Sequence, residues 1–320
     1  MKKLIKYSFL TLILFAVSAC NNSDENQAND GKLDKVAIAM TCEMLGSRAA
    51  SNLQGAFFDP STEIGFHLRK SNGATDYGYA NLYCTSQHLA NGTDTILQSS
   101  QMYFPLANDV VDVDVRAYAP YDGRFGRIQT YDVDIQTDQS TSVGYLKSDL
   151  LYGVPTAGNP VHHVITHDPT KKTQNVKLTF HHLLSKVTVT LQPVAPLTAD
   201  ALVGAQVKLK QVGTRVPFNL VDGTLGTAST PADVLIANVA SADETTVSGL
   251  IPPQTIAGGD DFLEVTLANG QVYKYTIPEA SSLTLNGGRN YQFNMKFGAN
   301  QMTVTMTVAD WVGVAGEYTL

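Results

Sequence analysis

Five of the seven histidines fall in one stretch: His162, His163, His167, His181 and His182. Imidazoles gathered like this could hold zinc, which needs three or four converging ligands with support behind them. The spacing argues against it. His162, His163 and His167 lie in a loop-like segment ending at Asp168-Pro169, and His181 and His182 are neighbours on an expected strand, facing opposite ways. Loop and strand-end histidines are the simpler reading, and no metal is expected. Asp112 with Asp114, and Asp132 with Asp134, each share one side of a strand. A glycosidase needs its two acids held across a cleft at roughly 5–10 Å, so these pairs read as solvated strand faces. Asp260-Asp261, behind Gly258-Gly259, reads as a turn. The chain lacks a G-x-S-x-G elbow, an H-E-x-x-H pair, a phosphate-binding Gly-rich loop and a C-x-x-C pair. These observations point away from an enzyme, and nothing calls for a cofactor. Sugar recognition would use exposed aromatic faces; Trp311, the sole tryptophan, reads as a strand-end anchor, and the fourteen tyrosines are scattered.

One cysteine does carry a chemical expectation. Lys2, Lys3 and Lys6 precede an apolar run from Leu10 to Val17, which ends in Val17-Ser18-Ala19-Cys20 and passes into Asn21-Asn22-Ser23-Asp24-Glu25. A positive start, a short apolar run and a small-residue cleavage site followed by cysteine make a lipoprotein export signal. The run is shorter than the roughly 20 apolar residues of a membrane span. Residues 1–19 are therefore expected to be removed and Cys20 to be acylated, with 20–32 a flexible tether to a membrane. Cys42 and Cys84 remain, in a compartment where a disulfide is possible; pairing and two separate buried thiols are both open.

The body that these groups decorate is β-patterned. Of the 320 residues 43% are hydrophobic and 16% charged, and the net charge of −7 becomes −10 when the three lysines of the signal leave. That balance, without a basic patch, excludes nucleic acid as a partner. Period-two alternation runs through 111–116, 187–191, 207–210, 273–277, 291–297 and 302–308, as half-buried antiparallel strands require. Asn91-Gly92, Asp122-Gly123, Asp222-Gly223 and Asn269-Gly270 punctuate the pattern and suit type I′ hairpins. Helix is expected only at Thr198–Gly204 and as one turn at Ser148–Tyr152. The fold class is all-β, with an N-terminal sandwich over 33–170 and a C-terminal one over 171–320.

Three local motifs add to this. They are Lys147-Ser148-Asp149-Leu150-Leu151-Tyr152-Gly153; the run Val176 to Val189 containing Phe180-His181-His182-Leu183-Leu184-Ser185-Lys186; and Gly288-Arg289-Asn290-Tyr291-Gln292-Phe293 continuing to Val308-Ala309-Asp310-Trp311. In this order behind a lipoprotein signal, they resemble the fimbrillin family of Bacteroidales type V pili, the FimA/Mfa-like proteins. The resemblance implies two tandem transthyretin-like β-sandwiches and a cell-surface location, at the outer membrane and in a fimbria. It implies a structural or adhesive subunit, cut after an arginine by a trypsin-like protease, losing its first strand and receiving a strand from another fimbrial subunit. The matching positions are Arg48 and Ala49, behind the expected first strand 35–40. A host or bacterial surface ligand is a further implied partner. The alternative is a non-polymerising surface lipoprotein that binds glycans or anchors a pilus.

Overall fold

The computed structural model describes residues 36–44, 58–59, 61–70, 76–90, 92–104, 112–126, 130–155, 164–166, 168–298 and 302–311. Within the unit Leu33–Leu320 the strands are β1 (Ala37–Met44), β2 (Glu63–Lys70), β3 (Asp76–His88), β4 (Asp94–Gln98), β5 (Asp112–Ala119), β6 (Thr130–Asp134), β7 (Leu151–Pro155), β8 (Val164–Thr166), β9 (Thr173–His182) and β10 (Ser185–Pro193). They continue with β11 (Gln206–Asn219), β12 (Thr224–Leu225), β13 (Ser229–Asn238), β14 (Thr246–Ile251), β15 (Gln254–Ile256), β16 (Asp261–Thr266), β17 (Val272–Thr276), β18 (Leu283–Leu285), β19 (Arg289–Phe297) and β20 (Met302–Asp310). Within the described residues each alternating segment lies in a strand, with Ile277 one residue past the end of β17.

The first sheet closes on itself. Its order is β2-β3-β4-β1-β9-β7-β5-β8, and β5 also pairs with β2, so seven strands form a ring and β8 extends the β5 edge. A closed ring leaves no ladder of unpaired backbone groups along its edges. Its core holds Ile38, Phe66, Val115, Val176 and Phe180 among others. A second core, around Val189, Leu209, Phe262 and Phe293, is built from the sheet β14-β10-β19-β20 and a sheet centred on the long β11. The all-β architecture agrees with the fold class read from the sequence.

The expected division at 170/171 does not coincide with a sheet boundary. β9, just beyond it, pairs with β1 and β7 in the ring, whereas β6, well before it, pairs with β11 in the second half. The join is a shared surface. On β5 and β7, Ala117, Ala119 and Leu151 face the ring core, while Tyr118 and Tyr152 face the other way into the second core. There they meet Phe218, at 6.2 and 6.0 Å between ring centroids.

Two local expectations change. The helical turn expected at Ser148–Tyr152 is displaced: α1 spans Ser142–Ser148, with the Thr141 hydroxyl accepting from the Gly144 N–H at its start, and Leu151 onward is strand. The 198–204 segment is a 3₁₀ turn over Ala199–Leu202. The Asn269-Gly270 turn has positive φ only at the glycine (87°). Gly270 N–H donates to Leu267 O and Leu267 N–H to Gln271 O, which fits a type I turn ending in a left-handed residue rather than a type I′ turn. Asp122-Gly123 is no hairpin; the Asp122 carboxylate caps a 3₁₀ turn over Gly123–Phe125.

Candidate functional site: the first strand and its slot

β1 reads Ala-Ile-Ala-Met-Thr-Cys-Glu-Met, and its alternate side chains are buried. Val36, Ile38, Met40, Cys42 and Met44 all enter the ring core. Strand geometry puts residues two apart on one face, so this one segment places five apolar groups in a row. At about 1.5–3 kcal/mol per fully buried aliphatic side chain, the row is worth on the order of 10 kcal/mol of gross transfer energy.

Both edges of β1 are engaged. It runs parallel to β9 over all eight residues, from Ala37 opposite Thr173 to Met44 opposite Phe180. On its other side Thr41 and Cys42 pair with Thr95 and Asp94 of β4. Further along that side the segment after β4 takes over. Ile38 N–H donates to Met102 O and Phe104 N–H to Val36 O, each at 2.9 Å. The amides of Gln98 and Gln101 both donate to Ile38 O, at 2.7 and 3.0 Å. Without β1 the ring would hold an apolar slot with β9 backbone groups exposed along it.

The chain re-enters the described structure at Phe58, close to where β1 ends. Phe58 is fully buried and stands edge-on to Phe180 at 4.9 Å. Its N–H donates to the buried Asp94 carboxylate at 3.2 Å, and the other Asp94 oxygen meets His88 Nδ1 at 2.6 Å. Gly153, paired with Phe180 across β7 and β9, makes this packing possible: a Cβ there would come within 2.6–2.8 Å of the Phe180 ring. The strand on one side of the expected cleavage point and the chain on the other are thus anchored on the same β9 residue. Arg48 and Ala49 themselves lie outside the described residues, as do Cys20, the signal, the tether, His162, His163 and His167.

Cys42 and Cys84 are free and buried. They sit on β1 and β3 with β4 between them, Cys42 opposite Asp94 and Cys84 opposite Gln98. Two strand spacings sideways and four residues lengthwise put them more than about 7 Å apart, beyond disulfide reach. No bond therefore tethers β1 through these thiols. Burial, with Asp94 and Glu43 adding to it, pushes the Cys42 thiol far above its usual range, and burial alone raises Cys84 to about 12.

The three sequence motifs meet at one buried cluster. His182 Nδ1 lies 2.8 Å from the fully buried Asp149 carboxylate, and its ring stacks on Trp311. The Lys186 ammonium lies over the Trp311 ring at 5.6 Å and over the Tyr145 ring at 5.9 Å. Burial lowers the Lys186 pKa, against the opposing pull of Asp149, and raises the Tyr145 hydroxyl well above the phenol range. The cluster joins the end of α1, the β9–β10 turn and the end of β20, a structural rather than catalytic arrangement. Trp311 is a strand-end anchor, as expected.

The acids behave less uniformly than expected. Asp132 and Asp134 are exposed, Asp134 pairing with Arg215 at 2.6 Å. Asp114 is buried, paired with Arg116 at 2.5 Å and Arg69 at 3.2 Å, so it is no solvated residue. The second half covers this face of β5, with Leu220 O receiving an Arg116 N–H at 3.5 Å. Asp261 opens β16 instead of lying in a turn, and its carboxylate is held by Lys274 and Thr276. Among the described residues no group of three or more His, Cys, Asp or Glu could hold a metal ion, and no helix is long and apolar enough to cross a membrane.

The described residues thus form an all-β body with two hydrophobic cores, in which β1 fills a slot of the ring. Residues 48–311 match the model of the fimbrillin-like family, and the chain belongs to that family, which is one of structural fimbrial proteins and not of enzymes. A candidate fimbrium subunit of Bacteroides uniformis, Fim1C, is 26% identical over 299 residues, covering 91% of this chain and 90% of that one. Two solved structures share the fold. A candidate cell adhesion protein from Bacteroides uniformis has a TM-score of 0.66 at 21% identity, covering 89% of this chain and all of the other. Another, from Bacteroides ovatus, has a TM-score of 0.64 at 20% identity, covering 88% and 99%.

Proposed function

We propose that this chain is a fimbrial subunit that assembles by strand addition into the β1 slot. In this reading it is exported as a lipoprotein on Cys20, reaches the outer membrane, and is cut after Arg48 by a trypsin-like protease. Release of residues 20–48 takes β1 with it, and a strand of another subunit restores the lost side chains and ladder bonds. The observation that carries the reading is the placement of β1: five buried side chains, backbone pairing on both edges, and an anchored chain at Phe58 beyond the cut. A vacated slot of this kind is costly in water, which supplies the driving force for a donor strand. Head-to-tail filling of this type extends into a filament instead of closing. The two cores correspond, in the same reading, to the two sandwich modules of the family.

The test uses the purified mature chain treated with an arginine-specific protease, followed by N-terminal sequencing and size-exclusion chromatography. A new terminus at Ala49 with conversion to high-mass species is expected. A chain that is cut at Arg48, loses β1 and stays monomeric at high concentration overturns strand addition. An intact chain that remains lipidated in the membrane fraction of its own cells would identify a non-polymerising surface lipoprotein instead.

A further inference from the structure

The ends of β2 and β5, the 3₁₀ turn over Gly123–Phe125, β6 and α1 surround a cavity of about 320 Å³ where the two cores meet. Its described lining includes Glu63, Tyr121, Asp122, Arg124, Gln136 and Lys147. An adjoining cavity of about 440 Å³ shares Arg124 and Asp134 with it and adds Tyr131 and Arg215. The two form one cleft with Arg124 at its waist. We propose that this cleft binds a neutral carbohydrate.

The aromatic surfaces are in place. The Arg124 guanidinium lies 4.0 Å from the centre of the Tyr131 ring, and Tyr121 stands edge-on to the exposed Tyr83 at 5.2 Å. Tyr121 and Tyr131 are both half-buried, so each is held by packing and still offers surface. A tyrosine presents an apolar face for a sugar's C–H groups and a polar tip beside it.

The charges select against an anion. Arg124 donates from Nε to both oxygens of Asp122, at 2.9 and 2.8 Å, and from Nη2 to Oδ2 at 2.5 Å. Arg215 is likewise bound to both oxygens of Asp134, at 2.6 and 3.2 Å. Each guanidinium already has its Nε and Nη2 donors on a carboxylate, which offsets its charge and weakens its pull on a phosphate or sulfate. The smaller cavity has two cations, Arg124 and Lys147, against three carboxylates, Glu63, Asp122 and Asp134. A sugar hydroxyl donates once and accepts twice, and this lining meets both needs. Carboxylate oxygens accept, while the exposed Gln136 amide and Lys147 ammonium, which make no side-chain bond among the described residues, donate. The size of the cavity falls at the small end of the roughly 300–1,000 Å³ range of small-molecule sites, which suits one or two sugar rings. The cleft uses no residue of β1, so it persists whether or not that strand is exchanged, and its occupancy is independent of the assembly reading.

The uncut chain is to be screened on an array of galactose-, mannose- and N-acetylhexosamine-terminated oligosaccharides beside sialylated and sulfated ones. Each retained glycan is then titrated by calorimetry against the wild type, Tyr121→Ala, Gln136→Ala and Thr255→Ala, the last in a separate cavity lined by Lys210, Thr255 and Asp261. The expected result is a neutral glycan whose binding weakens at least tenfold in Tyr121→Ala and severalfold in Gln136→Ala, with Thr255→Ala unchanged. Gln136→Ala keeps the test decisive if Tyr121→Ala fails to fold. Retention of no neutral glycan, retention of only sialylated or sulfated ones, or binding that neither cleft variant weakens would overturn the proposal.

Discussion

His182 lies flat against Trp311, ring centroids 3.7 Å apart and planes inclined by 12°. One ring comes from the ring-sheet strand β9 and the other follows the last described strand, so a single stack ties the first half of the chain to the end of the second. Asp149 holds the His182 ring through Nδ1, and the Lys186 ammonium lies over the indole. Trp311→Ala removes this tie and leaves Lys186 and His182 beside a void. A loss of about 3–5 kcal/mol in stability is expected, the usual cost of deleting a buried large aromatic. Urea unfolding followed by circular dichroism reads it, and a change below about 1 kcal/mol would show that the stack is ornamental.

Asp114→Asn tests the buried ion pair on β5. Asp114 meets Arg116 and Arg69, and burial, the largest influence on Arg116, lowers its pKa against the pull of Asp114. Removing the carboxylate charge leaves a guanidinium buried without compensation, a change that costs about 3–5 kcal/mol in comparable pairs. Thermal unfolding should show a fall in midpoint of many degrees, while Asp132→Asn, on an exposed face, shifts it by little.

His67 predicts an acid-sensitive fold. Burial, then the charges of Arg69 and Arg116, lower its pKa from 6.5 to about 4, against a raising hydrogen bond from Asn81. Its Nδ1 accepts from the Asn81 N–H, and its Nε2 is buried without a partner. The neutral ring is the folded form. The unfolded chain takes up a proton as pH falls through 6.5 and the folded chain does so only near 4. This contribution is therefore fully present above about 6.5 and is lost between 6.5 and 4, by an order of about 3 kcal/mol. His67→Gln should flatten that part of the stability–pH curve; an unchanged slope would assign the acid sensitivity elsewhere.

Thiol chemistry reports on the slot. Cys42 and Cys84 are buried and their thiolates disfavoured, so neither should react with an aromatic disulfide reagent at pH 8 in the intact chain. After arginine-specific cleavage and loss of β1, Cys42 leaves with the peptide and Cys84 should react within minutes. A Cys84 that stays protected after β1 has gone would mean that the ring recloses without a donor. The Cys42→Ala variant, which removes the other thiol, makes the readout unambiguous.

Ile38→Ala is the mildest test of the strand itself. Ile38 is almost fully buried, and its carbonyl receives two glutamine amides. The truncation should destabilise the uncut chain by about 2–5 kcal/mol. Ala39→Ser, on the outward side of the same strand, should cost much less. Equal effects would contradict the alternation on which the slot depends.

What the sequence determined by itself was the local grammar. Alternation in Val111–Arg116, Tyr291–Phe297 and Met302–Val308 is a property of neighbouring residues, and a strand with one dry face follows from it directly. The family motifs were legible for the same reason, since each is a short run of adjacent residues. Tertiary structure alone decided which strands meet. The parallel pairing of β1 with β9 joins residues about 136 apart, and no local pattern encodes a partner at that distance. It also decided the fate of Asp114. The alternation Val-Asp-Val-Asp-Val-Arg promises water on the polar face, and water would be there had the second half not folded over it. Asp149, Lys186 and Trp311 were each visible as motif residues, yet their meeting depends on three chain segments arriving together. Burial and electrostatics are sums over whatever surrounds a group, and only the folded chain supplies the surroundings.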